Sequence, residues 1–369
     1  MASVDDIKEL IAKGGKYEIV NDNDEGMNAY AFEARHIPLD RSVFLKVYSC
    51  EGVGQDIFDE PRLLVAATSN DDCDNIVKVI DADVLSDEWV LFAMEHCGGG
   101  SLLSALDNGP LPQCDAVEAA KDILNGLAHL HRNLFLHRDV KPANVIQSTV
   151  TGGVVCKICD FGSVVKIEKS ESCVASSRHS ALYVPPEGWN AVPSYCIASD
   201  VYQAGIVLGE LVCGSLDYDG RKYLDTTGRA EIKALGFNSI SDCSSFDESR
   251  IIDDCIKRHV QAGRIEKKFA YPPYIDGKLK KLIRKAVSVQ VKDRYKSANE
   301  MISALNSINC PNWHYANNSF NAKSWKGYDW QVKQEGQTFI VRRCTEGRAW
   351  RVWKRCSNDV EAYQAVATV

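Results

Sequence analysis

The stretch His137–Gly162, HRDVKPANVIQSTVTGGVVCKICDFG, constrains this chain more than any other part of it. Asp139, Lys141 and Asn144 crowd into one short polar segment, and Asp160-Phe161-Gly162 arrives sixteen residues after Asn144. Between them VVCKICDF has the pattern of a strand. Two clusters of charged and amide side chains therefore close off the stretch, one at each end. An isolated Asp-Phe-Gly arises readily by chance. The same tripeptide at this distance from H-R-D-x-K-x-x-N does not, and everything else in the chain is read relative to it.

Several function classes fall away on composition. With 369 residues the chain is too long for one average core and suits two or three. A net charge of −7 gives no bulk attraction to nucleic acid. Apolar runs such as GIVLGELVCG stop well short of the roughly 20 residues of a membrane span. MASVDDIKEL carries acids where a signal peptide carries bases, which points to a cytoplasmic protein. The 14 cysteines are scattered, without the spacing of a disulfide framework. Only Cys156 and Cys159 form a C-x2-C pair. No second pair follows at zinc-site spacing, so they read as reduced, small apolar residues.

Ser3 to Lys13 has helical spacing of Val4, Ile7, Leu10 and Ile11, a Ser3 cap and a Gly14-Gly15 stop, and reads as a helix docked on the first lobe. Residues 17–97 are strand-rich, with strands expected over Ala29–Glu33, Val43–Val47, Ile76–Ile80 and Trp89–Met94 and a helix over Asp56–Thr68. From Gly98 the pattern turns helical: Ser101–Leu106, Cys114–Arg132, Ala198–Cys213, Arg250–His259, Lys278–Val289 and Ser297–Ile308. Gly214 to Tyr274 mixes Gly, Asp, Ser and Thr and reads as a long loop with one or two helices. Beyond Ile308, WQVKQ, TFIVRRC and WRVWKR alternate like strands around polar turns. This last part, residues 309–369, holds five of the seven tryptophans and reads as a small antiparallel appendix. The expected fold class is α+β, with a small β-rich lobe, a larger helical lobe and a cleft between them.

These motifs, in this order, resemble the eukaryotic-type (Hanks-type) serine/threonine protein kinases over residues 17–308. The resemblance implies a two-lobed kinase fold, with lobes at 17–97 and 98–308, that transfers the γ-phosphoryl of ATP to Ser or Thr hydroxyls of protein substrates and to itself. On it, Asp139 matches the catalytic base and Lys141 the lysine of the Ser/Thr-specific loop. Asn144 and Asp160 match the ligands of Mg²⁺, or of Mn²⁺ in its place; oxygen donors suit such hard ions. Lys46, in Val43-Phe44-Leu45-Lys46, matches the strand lysine that holds the α- and β-phosphates. Glu60 matches its helix partner, although Pro61 follows it directly, and Glu51 is the second candidate. Met94, Glu95 and Cys97 fall on the hinge that contacts the adenine. Glu187 and Arg294 match a buried structural ion pair, and His137, Arg138 and Asp200 the brace of the catalytic loop. Ser180 begins the end of the activation segment. Upstream, Ser170, Ser172, Ser176 and Ser177 are candidates for an activating phosphorylation, read by pairing with Arg138; the alternative is that they simply populate a loop.

The chain departs from the family in its roof. The glycine-rich loop falls at residues 23–31, where Gly26 alone survives of three glycines. Phe44 replaces the small residue that usually covers the adenine. These departures carry the rival reading, a pseudokinase scaffold that binds nucleotide or partners without turnover. Residues 310–369 carry +4 against −7 for the whole chain, leaving −11 on the rest. Basic residues alternate there with aromatics, which admits a partner-binding or nucleic-acid surface. The plainer reading makes the tryptophans the core of the appendix, packed on the kinase lobe.

Overall fold

The computed structural model describes residues 3–23, 29–49, 62, 65, 66, 73–169, 173, 174 and 180–369. Helix α1 (Val4–Lys13) opens on a capping box. The Ser3 hydroxyl accepts from the Asp6 N–H, and the Asp6 carboxylate accepts from the Ser3 N–H. Its Ile7 and Ile11 are buried against one face of an antiparallel sheet. That sheet contains β1 (Tyr17–Asn23), β2 (Ala29–His36), β3 (Arg41–Ser49), β4 (Val79–Ser86) and β5 (Trp89–Glu95), in the order β1-β2-β3-β5-β4. Strand alternation sends Val43, Leu45 and Val47 into this core with Leu91 and Ala93, and leaves Phe44 and Lys46 on the opposite face. The expected strand at Ile76–Ile80 starts only at Val79. Ile76 makes a single parallel bridge to Ile158 instead.

The second lobe is built on two long helices. α3 (Gln113–Arg132) follows the short α2 (Leu102–Leu106), and α4 (Ile197–Cys213) is buried along almost its whole length. A helix buried on every side belongs at the centre of a core, and α4 lies under α3, α7 (Gly277–Ala286) and α8 (Ala298–Leu305). α5 (Thr226–Ala234) and α6 (Ser245–Gln261) occupy the stretch that reads as mostly loop in sequence. Four short strands in two pairs sit on top of α3: β6 (Phe135–Leu136) paired with β9 (Val165–Lys166), and the hairpin β7 (Val145–Val150) with β8 (Gly153–Ile158). Gly126 makes this stacking possible. A Cβ there would meet the Asn75 carbonyl at 2.7 Å and Ile158 Cδ1 at 2.9 Å.

The C-terminal part is a five-stranded antiparallel meander: β10 (Trp313–Ala316), β11 (Ser319–Trp325), β12 (Tyr328–Glu335), β13 (Thr338–Cys344) and β14 (Arg351–Cys356). A helix that the sequence pattern did not announce, α9 (Asp359–Ala367), packs across one face. Trp313 and Trp330 are buried beneath it with Val332 and Val341, against Tyr363 of the helix. Tyr274, from the second lobe, packs its ring against Phe320 and Tyr363 at 5.2 and 5.6 Å between centroids. Asn312 accepts from the Cys114 N–H at 3.0 Å, so the appendix also rests on the first turn of α3. No helix among the described residues is long and apolar enough to cross a membrane.

Candidate active site

The catalytic-loop candidates hang from a buried carboxylate. Asp200 sits in the first turn of α4 with no exposure to solvent. Its oxygens accept from His131 Nε2 at 2.8 Å, the His137 N–H at 3.0 Å and the Arg138 N–H at 2.8 Å. Arg138 has a φ of 67°, a backbone strain that such a partner can hold in place. Burial alone would raise the Asp200 carboxyl. The His131 hydrogen bond, the neighbouring imidazoles and the Arg138 N–H outweigh it and hold it below the ordinary range.

Asp139, the next residue, has one carboxylate oxygen shared by two donors. Lys141 Nζ lies 2.8 Å from Oδ2 and Asn144 Nδ2 lies 3.0 Å from it. Asn144 Nδ2 also donates to the Asp139 carbonyl at 2.9 Å. Lys141 Nζ reaches onward to Ser180 Oγ at 2.9 Å, which joins the catalytic-loop segment to the stretch before Glu187. The His137 ring is anchored from both nitrogens. Nδ1 accepts from the Asp139 N–H, Nε2 donates to the Cys159 carbonyl, and its edge meets Phe161.

Across the cleft, Lys46 Nζ stands 3.3 Å from Asp160 Oδ1. Asp160 has a φ of 64°. Burial would raise its carboxyl, but Lys46, His137 and the Gly162 N–H together keep it below the usual carboxylate range. Phe44 and Lys46 lie on one face of β3, and the register sets Phe44 beside Met94 and Lys46 beside Phe92. At the end of β5 the Glu95 N–H donates to the Lys78 carbonyl at 3.0 Å. The Glu95 carboxylate takes the Lys78 N–H and both its oxygens lie 2.9 Å from Lys157 Nζ. Cys97 follows, half-buried.

Glu187 and Arg294 form a two-pronged pair at 2.7 and 2.8 Å, and the Arg294 side chain is fully buried over the Tyr202 ring. The Ser199 hydroxyl donates to Glu187 at 2.7 Å. Gly26 and Glu60, and the serines 170, 172, 176 and 177, lie outside the described residues. The Arg138 guanidinium donates to the Ser163 carbonyl at 2.6 Å.

Two positioning groups escaped the sequence reading. Gln203 accepts from the Val140 N–H and donates toward the carbonyls of Arg138 and Tyr183, so one buried amide ties residues 138–140 to the stretch before Glu187. Lys157 fastens Glu95 to β8. Gln203 is three residues after Asp200 on a helix, which was a usable signal; Lys157 had none.

A two-lobed molecule with this cleft defines a class. The chain matches the protein kinase domain family over residues 25–305, and it belongs to that family. It is 31% identical over 219 residues to serine/threonine-protein kinase PrkC of Bacillus subtilis, covering 57% of this chain and 33% of the relative. It is 27% identical over 299 residues to a probable serine/threonine-protein kinase of Clostridium perfringens, covering 80% of this chain and 38% of the relative. It is 31% identical over 172 residues to calcium-dependent protein kinase 6 of Plasmodium berghei, covering 46% of this chain and 11% of that protein. The chain thus spans less than half the length of these curated relatives.

Proposed function

We propose that this chain is a serine/threonine protein kinase that transfers the γ-phosphoryl of ATP to a protein hydroxyl. One observation carries the reading: a single Asp139 oxygen held jointly by Lys141 and Asn144, with Lys141 also on Ser180. Asp139 would orient the substrate hydroxyl and take its proton. Lys141 would stay beside both the base and the incoming phosphoryl, neutralising charge there. Lys46 would hold phosphate oxygens, leaving Asp160 when the nucleotide enters. Met94 would line the back of the adenine pocket. Because the Glu95 N–H is committed to Lys78, Glu95 would meet the base through its carbonyl, and Cys97 would supply the second backbone contact.

The residues suit a hard divalent ion. Asn144 is anchored through Nδ2, which leaves its amide oxygen as a donor, and Asp160 is held ionised. Mg²⁺, when bound, supplies charge neutralisation on the phosphates; Asn144 and Asp160 would hold it. The test compares wild type with Asp160→Ala in labelled ATP and Mg²⁺. Transfer to a generic Ser/Thr substrate by wild type and not by the variant is expected. Equal, background-level labelling in both would favour the scaffold reading.

A further inference from the structure

Val174, in the stretch between Gly162 and Ser180, is tied to the segment just before α4. Val174 and Tyr195 form an isolated antiparallel bridge, with the Val174 N–H donating to the Tyr195 carbonyl at 2.9 Å and the Tyr195 N–H returning to Val174 at 2.8 Å. A doubly bonded pair of this kind fixes the register of its neighbours. In antiparallel geometry the residue before Val174 and the residue after Tyr195 face each other as the next, non-hydrogen-bonded position, for which Cα atoms are about 4.5 Å apart. Those residues are Cys173 and Cys196. A disulfide needs a Cα separation of about 4.4–6.8 Å, and the ideal spacing at that position falls within this range. Burial first, and then the neighbouring Cys196, push the Cys173 thiol above its ordinary range. Cys173 is exposed and Cys196 is half-buried, so a small reagent reaches them.

We propose that Cys173 and Cys196 form a reversible cross-strand disulfide, made by exchange with a low-molecular-weight disulfide, that clamps this segment to the foot of α4. Cys173 loses its proton to water and its thiolate attacks one sulfur of the small disulfide. A mixed disulfide forms, and one small thiolate leaves and takes up a proton. Cys196, deprotonated in turn, attacks the Cys173 sulfur. The Cys173–Cys196 bond forms, and the second small thiolate leaves and is protonated. Two protein thiols are oxidised and one small disulfide is reduced to two thiols. A dithiol reverses both steps.

The clamp sits where it can be felt. Cys196 caps α4, and its sulfur lies 3.8 Å from the Ser199 hydroxyl that donates to Glu187. Calling residues 163–180 an activation segment rests on the kinase reading. The bond itself does not, because it is read by mass.

The test treats the reduced full chain with oxidised glutathione, blocks remaining thiols and digests with trypsin. Cys173 lies in the tryptic peptide 170–178, and Cys196 lies in 179–221 together with Cys213. The expected product is these two peptides joined, lighter by two hydrogens than their sum and released by dithiothreitol. It persists in Cys213→Ser and vanishes in Cys173→Ser and in Cys196→Ser; serine remains a competent helix cap. Closing the loop should also raise Tm by about 5 °C in wild type, reversibly, with no shift in the two serine variants. Cys173 carrying glutathione while Cys196 is still alkylated would overturn the proposal. So would linkage through Cys213. A bond that forms in protein with no phosphoryl transfer, oxidised or reduced, supports the clamp and counts against the kinase reading alone.

Discussion

Replacing Asp200 with asparagine tests what holds the catalytic loop in shape. The wild-type carboxylate accepts from three donors with two oxygens, wholly out of water. Asparagine keeps the outline but offers one oxygen, and its NH2 group must face a donor. The less costly orientation turns the NH2 toward the Arg138 N–H and keeps the oxygen on His131 and His137. That choice forfeits one hydrogen bond to a charged acceptor, about 1.5–3 kcal/mol, and adds a donor–donor clash. It also frees Arg138 from its positive φ, so part of the loss returns as released strain. The net expectation is about 3 kcal/mol, which for a domain of this size lowers Tm by about 6–12 °C. The sign of the pH dependence is fixed as well. A carboxyl depressed in the folded state contributes its stability above the unfolded pKa of about 4 and loses it as pH falls through the lower folded value. The wild-type advantage should therefore be full at neutral pH and shrink on acidification below about pH 4. Differential scanning calorimetry of both proteins across that range measures it. A Tm difference below about 2 °C at neutral pH, or a gap that widens on acidification, would refute the reasoning.

Arg294→Met strands Glu187 in the core and should cost about 3–5 kcal/mol by urea denaturation, with Glu187→Leu/Arg294→Met recovering much of the loss. Phe44→Ala opens the face shared with Lys46 and Met94, so ATP analogues enlarged at the adenine amine should bind about tenfold tighter to the variant by calorimetry. Trp330→Ala empties the centre of the appendix, and about 3–5 kcal/mol should be lost from the unfolding transition that near-UV circular dichroism assigns to its tryptophans.

The parts legible in the sequence are those where chemistry and spacing are tied together. Asp139, Asn144 and Asp160 cannot be moved along the chain without changing what they touch, so their spacing, matched to the kinase pattern, pointed to a site. The strand expected over Val43–Val47 likewise lies inside β3. Other parts depend on contacts between distant residues. Lys157 reads as an ordinary strand lysine until the fold brings Glu95 to it. In the Gly214–Tyr274 stretch the expected helix Arg250–His259 is the inner part of α6, whereas α5 is short and partly solvated, which hid its helical period. α9 has an apolar face too short to stand out, and its packing on the sheet of the appendix is what gives it a reason to form. Of the two readings of the tryptophans there, Trp313 and Trp330 fit the plainer one, as core, while Trp350 is exposed.

The central claim, that Asp139 serves phosphoryl transfer, meets its most direct test in a single turnover. Wild type and Asp139→Asn would each be mixed with labelled ATP, Mg²⁺ and a generic Ser/Thr peptide and quenched over time, with nucleotide affinity measured alongside. The account predicts transfer at least about a hundredfold slower in the variant, with a nucleotide Kd within about twofold of wild type. Equal transfer rates in the two proteins would contradict it.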